Sequence, residues 1–234
     1  MVKISVIMNT YNRENMIKQA IESVIANTEK DWELLINNDG STDSTADILK
    51  KYTKTDNRIK AFNREENSGR NLSLVKNEML AKAKGDYICF IDDDNQYESN
   101  FLGVMSSYLD RYPNIDLVYC DSNFWNQVGN EFICVGRQRS LDFDRELIKK
   151  MNIIDLGEAM GRRAIFDKYK FDEKITYCGE DWILWIQASK DFAFQHYPEL
   201  LTNYFVHQTQ TTKDPKHAQT VIELRKRIDA GEFD

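Results

Sequence analysis

Three adjacent carboxylates and an amide, Asp92-Asp93-Asp94-Asn95, stand at the end of the apolar run Tyr87 to Ile91. Carboxylates this close repel one another, so they need either water or a positive partner among them. A hard divalent cation that also holds a phosphate-bearing ligand is one such partner, since Mg2+ takes oxygens from one or two carboxylates together with phosphates. A solvated acidic turn is the plainer reading. Two further polar stretches, Asn9-Thr10-Tyr11-Asn12-Arg13 and Asn38-Asp39-Gly40-Ser41-Thr42-Asp43, are dense in turn and helix-capping residue types. Far along the chain, Glu180-Asp181 precedes Trp182, Ile183, Trp185 and Ile186, an acidic start to a helix.

The elements that hold these groups follow from hydrophobic periodicity. Ile4 to Met8, Trp32 to Ile36, Ile59 to Phe62 and Tyr87 to Ile91 are short apolar runs that predict buried strands. Between them lie three helical stripes: Met16, Ile17, Ala20, Ile21, Val24 and Ile25; then Ala46, Ile48, Leu49 and Tyr52; then Leu72, Val75, Met79, Leu80 and Ala83. Gly85 ends the last of them. Strand and helix alternating in this way imply a parallel sheet covered on both faces. In such sheets the ligand crevice lies at the carboxyl ends of the strands. The polar turns after Met8, Ile36 and Ile91 all fall on that edge, which weighs against a merely solvated acidic turn.

Beyond Asn95 the pattern changes. Phe101 to Leu109 predicts a helix, Leu117 to Cys120 a strand, and Asn123 to Val135 a hairpin turning at Gly129-Asn130. Leu147, Ile148 and Met151 suggest one helix, Ala164 to Tyr169 another, and Trp182 to Ser189 a third. Phe192 to Tyr197 and Leu201 to Val206 read as two strands, and Pro215 to Ala230 as a terminal helix. Its Val221, Leu224 and Ile228 stripe would pack on its own domain or on a second copy, so a homodimer stays open. No repeat or flexible linker divides the chain. The expectation is one unit over 1–234, a nucleotide-type half (1–95) merging into a second half (96–234).

The chain has 234 residues and a net charge of −7, which supplies no global pull toward nucleic acid or an anionic membrane. Four cysteines lack any Cys-x-x-Cys pair, as expected of reduced thiols in a cytosolic protein. No apolar run approaches the ~18 residues of a membrane span. The expected location is cytoplasmic, with any membrane contact peripheral.

The segments Ser5 to Arg13, Asn38 to Asp43, Phe90 to Asp94 and Gly179 to Trp182, in that order, resemble glycosyltransferase family 2 over nearly the whole chain. The resemblance implies an α/β GT-A fold, a mostly parallel central sheet flanked by helices. Its Rossmann-like nucleotide-binding half merges with an acceptor-binding half. It also implies transfer of a sugar from a nucleotide-sugar with inversion at the anomeric carbon. A UDP-sugar is favoured; TDP- and GDP-sugars are alternatives, because Asn38 stands where many relatives carry an acid.

Position by position, the resemblance places Thr10, Tyr11 and Arg13 in the nucleotide pocket and gives Asp39 the base imide. Asp92 or Asp93 would take the ribose hydroxyls. Asp94 would ligate Mn2+ or Mg2+, with His207 near the metal or diphosphate and Lys76 near the diphosphate. Asn95 departs from the Asp common in relatives. Asp181 would be the base that takes the acceptor's proton, and Glu180 its placing neighbour. The acceptor is a glycan, a lipid-linked intermediate or another hydroxyl compound. Trp125, Trp182, Trp185 and Tyr177 offer flat faces for a sugar, although Trp182 and Trp185 also fit a core stripe. A sugar-nucleotidyltransferase would need a glycine-rich loop after the first strand, and Asn9 to Arg13 has no glycine. A non-catalytic nucleotide-sugar-binding domain is the third reading.

Overall fold

Strand and helix alternate from Ile4 to Phe90 as the periodicity predicts: β1 (Ile4–Thr10), α1 (Ile17–Ile25), β2 (Trp32–Asn38), α2 (Thr45–Thr55), β3 (Ile59–Asn63), α3 (Leu72–Leu80) and β4 (Tyr87–Phe90). The computed structural model describes residues 2–233 except Arg70, Asn130, Arg139, Thr209, Thr211 and Thr212. The rest of the chain adds β5 (Gln96–Tyr97), α4 (Phe101–Arg111), β6 (Leu117–Val128), β7 (Glu131–Gln138) and α5 (Arg145–Ile148). A 3-10 turn (Leu156–Glu158) follows, then β8 (Ala159–Arg162), α6 (Arg163–Lys168), α7 (Glu180–Ala188), β9 (Phe194–Val206) and α8 (Pro215–Asp229).

All strands join one nine-stranded sheet in the order β3-β2-β1-β4-β8-β6-β9-β5, with β7 bonded to β6 beside this path. Strands β1, β2, β3, β4, β6 and β9 share one direction, and only β5, β7 and β8 oppose it. The sheet is thus mostly parallel. Alternate residues feed two cores, because successive strand side chains point to opposite faces. Ile7, Leu35, Ile88 and Phe90 pack with α3, α6, α7 and α8, while Val6, Met8, Leu34, Ile36 and Cys89 pack with α1, α2 and α4. Each fully buried aliphatic or aromatic side chain contributes roughly 1.5–3 kcal/mol.

The second half differs from expectation in identifiable ways. β6 runs well past Cys120, because its polar residues are bonded within the sheet instead of ending it. Ser122 bonds Thr202 (2.6 Å) and Glu158, and Asp121 bonds His196 (2.8 Å). The two predicted strands around Pro198 are one strand, β9. Register shifts on β6 between Tyr119 and Ser122 accommodate the interruption. A proline lacks the N–H a regular ladder needs. The central strand β8 was not foreseen; Ala-Met-Gly-Arg carries little strand signal, yet it pairs with both β4 and β6. β5, of two residues, was not foreseen either.

The hairpin extends to Gln138; Asn130 of its turn lies outside the described residues. Met151 is exposed beyond the end of α5 instead of continuing it. Leu224 and Ile228 are buried in the same core as α7, so that stripe covers the chain's own domain.

Candidate active site

The carboxyl ends of β1, β2 and β4 lie side by side, with Thr10 opposite Asn38 and Ile7 opposite Phe90. The loops leaving β1 and β2 are stitched together. Asn12 N–H donates to Ser41 Oγ (2.9 Å), Thr42 N–H to Asn12 Oδ1 (2.8 Å), and Arg13 N–H to Thr45 Oγ1 (2.9 Å). Asp43 accepts from Thr45 N–H (2.9 Å) and Glu14 N–H (3.1 Å). This lattice holds Asn12 at φ 53 and places Thr10, Tyr11 and Arg13 along one cavity. Tyr11 is 44% exposed there, which leaves a ring face free for a flat ligand. Arg13 turns inward: its Nε donates to Asp93 Oδ1 (3.2 Å), and its Nη2 stands 3.9 Å from Asp94 Oδ2.

The acidic turn is only partly solvated: Asp93 is buried and Asp94 half-buried, while Asp92 is exposed along the cavity. Enclosure in the cleft, then the charge of Asp94, pushes the Asp92 carboxyl up to about 6 and the Asp93 carboxyl up to about 7, although Lys76 and Arg13 respectively pull against the rise. Asn95 sits beneath the turn. Its Oδ1 accepts from Phe205 N–H (3.0 Å) and its Nδ2 donates to Asp92 Oδ2 (3.3 Å), so the amide ties the turn to β9. A carboxylate there could not donate to Asp92, which gives the Asn a structural reason. His207, just past β9, reaches the turn as well: its Nε2 lies 3.0 Å from Asp94 Oδ2.

The facing wall is the start of α7. Gly179 adopts a left-handed conformation (φ 82) and lets the chain enter the helix with Glu180 and Asp181 toward the cavity. Glu180 is buried and ion-paired with Lys76 of α3, so Lys76 is held at α7. Asp181 Oδ2 accepts from Asn152 Nδ2 (3.0 Å), and Oδ1 accepts from Trp182 N–H (2.8 Å). Burial pushes the Asp181 carboxyl up to about 6, and the Glu180 charge adds to the rise. Trp182 and Trp185 are core residues whose indole N–H groups donate to the Ile148 carbonyl (2.5 Å) and Ile154 carbonyl (3.2 Å); Tyr177 and Trp182 also line the cavity. Trp125 stands away from the cavity, stacked on Phe205.

Asp39 occupies the far end of the cleft as a latch on the loop before α3. Ser68 donates from its N–H to Oδ1 (3.0 Å) and from its hydroxyl to Oδ2 (2.7 Å). Arg64 Nε also stands 3.4 Å from Oδ1, so Oδ2 is the oxygen with a lone pair left for a ligand. Asn38 is spent on structure, donating to Asn63 Oδ1 (2.8 Å) and accepting from Ser41 N–H (3.2 Å).

Thr10, Tyr11, Arg13, Asp39, Lys76, Asp92, Asp93, Asp94, Glu180 and Asp181 thus line one cavity of about 1020 Å3. Among the other lining residues that the sequence did not single out, two polar ones stand close to the candidate base or to the buried acids. Asn152, the partner of Asp181, carries no local signal. Asp155, whose carboxyl is driven far up by burial and by Glu158, shows only as a turn residue before Gly157, whose N–H it accepts (2.8 Å).

Among the described residues, no three His, Cys, Asp or Glu side chains form a cage for a metal ion. Asp94 and His207 are hydrogen-bonded to each other (3.0 Å); a carboxylate and an imidazole are donor types that a divalent ion accepts beside phosphate and water.

A protein-family model described as Glycosyl transferase family 2 matches residues 5–170. An uncharacterized glycosyltransferase of Rickettsia bellii is 30% identical over 193 residues, covering 80% of this chain and 26% of its own. The Campylobacter jejuni GalNAc(5)-diNAcBac-PP-undecaprenol beta-1,3-glucosyltransferase is 29% identical over 200 residues, 83% of this chain and 62% of its own. The chain spans less than two thirds of either relative. Among solved structures, S. aureus TarS in complex with UDP superposes with a TM-score of 0.72 at 20% identity, over 97% of this chain and 65% of that one. The mannosyltransferase PcManGT of Pyrobaculum calidifontis, in complex with GDP-Man and Mn2+, superposes at 0.68 and 14%, over 96% of this chain and 60% of that one. At these identities the likeness is one of fold, here the GT-A type.

Proposed function

The chain belongs to glycosyltransferase family 2, and on that premise we propose that it moves a sugar from a nucleotide-sugar to an acceptor hydroxyl, with inversion and in a metal-dependent reaction. The observation that supports this reading is one cavity lined by Arg13 and Asp94 together with the Asp181 carboxylate, with His207 buried behind Asp94 and bonded to it (3.0 Å). Fold neighbours solved in complex with UDP, and with GDP-Man and Mn2+, support a nucleotide-sugar donor. A UDP-sugar is the first choice.

In this reading Tyr11 takes the base against its ring, Thr10 lies at the pocket wall, and Asp39 accepts from the base imide while latched to Ser68. Asp92 or Asp93 bonds the ribose, and Arg13 faces the diphosphate. Asp94 and His207 would hold Mn2+ or Mg2+, which when bound supplies Lewis-acid neutralisation of the leaving diphosphate. Asp181 accepts the proton of the acceptor hydroxyl as that oxygen bonds the anomeric carbon and the bond to the diphosphate breaks. Asn152 and the adjacent Trp182 N–H hold the Asp181 carboxylate in place. Lys76 acts through Glu180, fixing the first turn of α7.

A thermal-shift panel of UDP, GDP, TDP and CDP, each with and without Mn2+, tests the reading. A nucleotide at about 100 times its dissociation constant stabilises the protein by roughly 2.7 kcal/mol. UDP with Mn2+ is expected to give the largest shift, and Asp94→Ala to remove its metal-dependent part. No shift with any nucleotide and metal would overturn the proposal.

A further inference from the structure

Among the described residues, every buried side-chain amide but one is bonded at both ends. Asn27, Asn38, Asn95, Asn203 and Gln210 each donate through nitrogen and accept through oxygen. Asn37 of β2 is 1% exposed, and neither its Oδ1 nor its Nδ2 has a partner. Its register partner on β1, Asn9, has a buried Oδ1 that is unpartnered as well. Buried polar atoms without a bond are unfavourable and rare. Here three of them fall on two residues that stand opposite each other.

Their place in the cleft gives them a use. Strand side chains alternate, so Asn9 follows Ile7, and Asn37 follows Leu35, onto the face that α3 covers. Asn9 is half-buried and lines the cavity, with Asn37 closed off beside it. Two residues further along the same strands come Tyr11 and Asp39. Asp39 N–H donates to the Thr10 carbonyl (2.9 Å), which carries the pairing of β1 with β2 out to that level. The amide pair therefore lies two strand residues, roughly 6.6 Å, inward of Tyr11 and Asp39. One base can meet both levels.

We propose that Asn9 and Asn37 form a relay that selects the nucleobase. Asn37 Nδ2 donates to Asn9 Oδ1, and this turns the Asn9 N–H onto a ring carbonyl of the base. A side-chain amide carries a donor and an acceptor, and its partners choose which end faces where. With Asp39 accepting a ring N–H and Asn9 donating to the adjacent carbonyl, the site matches a lactam base: uracil, thymine or guanine. Cytosine presents a bare ring nitrogen and an amine at those positions, so both contacts fail. Asn37 is thus a positioning residue that acts through Asn9. The relay rests on the nucleotide-sugar reading, since it assigns base selection within the donor end of the same site.

The test is calorimetric titration of UDP, GDP and CDP, each with Mn2+, into the unmodified protein, Asn37→Leu and Asn9→Ala. The unmodified protein is expected to bind UDP or GDP more tightly than CDP. Each variant is expected to lower that preference roughly tenfold, the scale of one net hydrogen bond. The change should come from weaker binding of the lactam nucleotide, with CDP nearly unaffected. A purely structural role for the amides would weaken all three nucleotides alike, and that result overturns the inference. An unchanged preference in Asn9→Ala overturns it too, and this variant at the cavity wall decides the matter if Asn37→Leu does not fold. CDP binding to the unmodified protein as tightly as UDP and GDP is equally fatal. These outcomes defeat the relay alone, whereas no binding of any nucleotide to the unmodified protein defeats the nucleotide-sugar reading itself.

Discussion

Lys76 and Glu180 are buried against each other, an ion pair that joins α3 to the first turn of α7 on the floor of the cleft. Burial alone would ease the proton off Lys76, but the charge and hydrogen bond of Glu180 outweigh it and hold the ammonium more tightly than usual. Two charges taken out of water together cost less than either alone. The pair therefore fixes the backbone on which the next residue, Asp181, is carried.

Removing one partner should expose that dependence. Lys76→Met leaves Glu180 buried and unpaired, at an expected cost of about 3–5 kcal/mol in urea unfolding. The double variant Lys76→Met with Glu180→Leu is expected to recover most of it. A double variant as unstable as the sum of the singles would show that the pair is not coupled.

Asp181→Asn is expected to lower turnover by about 10²–10⁴-fold while leaving the UDP and Mn2+ thermal shift intact. The base works ionised, and its carboxyl is pushed up to about 6. Activity of the unmodified protein should thus rise with pH through about 6 and level off above 7. A fully active Asn variant would exclude Asp181 as the base, and loss of the UDP shift would make its role structural.

Gly179 enters α7 at φ 82, and a methyl group there would come 2.5 Å from Leu224 Cδ1. Gly179→Ala should cost about 1–2 kcal/mol for the left-handed backbone alone. It should also lower turnover by displacing Asp181. Stability and turnover both matching the unmodified protein would mean that the turn can relax freely.

Glu158 is buried at the sheet centre, accepting from Ser122 and from Ser140 (3.0 Å), and burial pushes its carboxyl up to about 7. A carboxyl whose proton is held more tightly in the folded state stabilises fully below its unfolded value, near 4.5. That contribution is lost as pH rises through about 7, by up to roughly 1.4 kcal/mol per pH unit. Urea unfolding of metal-free protein should therefore show lower stability at pH 8 than at pH 5.5, with a smaller difference in Glu158→Gln. Equal differences would place the pH dependence elsewhere.

Much of the first half was legible residue by residue. The runs Ile4 to Met8 and Trp32 to Ile36 and the stripes of α1, α2 and α3 carry periods that local chemistry sets, so elements and loops emerge together. In the second half, polar residues inside strands hid them. Asp121 and Ser122 look like a strand end until His196, Glu158 and Thr202 arrive as partners. Local periodicity cannot report partners that distant.

The sequence by itself determined the alternation of strand and helix, the three polar loops on one sheet edge, and an acidic pair at the start of α7. The tertiary structure alone decided which charges meet. Arg13 reaches Asp93 across 80 positions, Lys76 reaches Glu180 across 104, and His207 reaches Asp94 across 113. It also decided that β8 lies between β4 and β6 and that Asn152 holds Asp181. Those pairings depend on strand order and register, which are settled by burial over the whole sheet and not by the residues on either side.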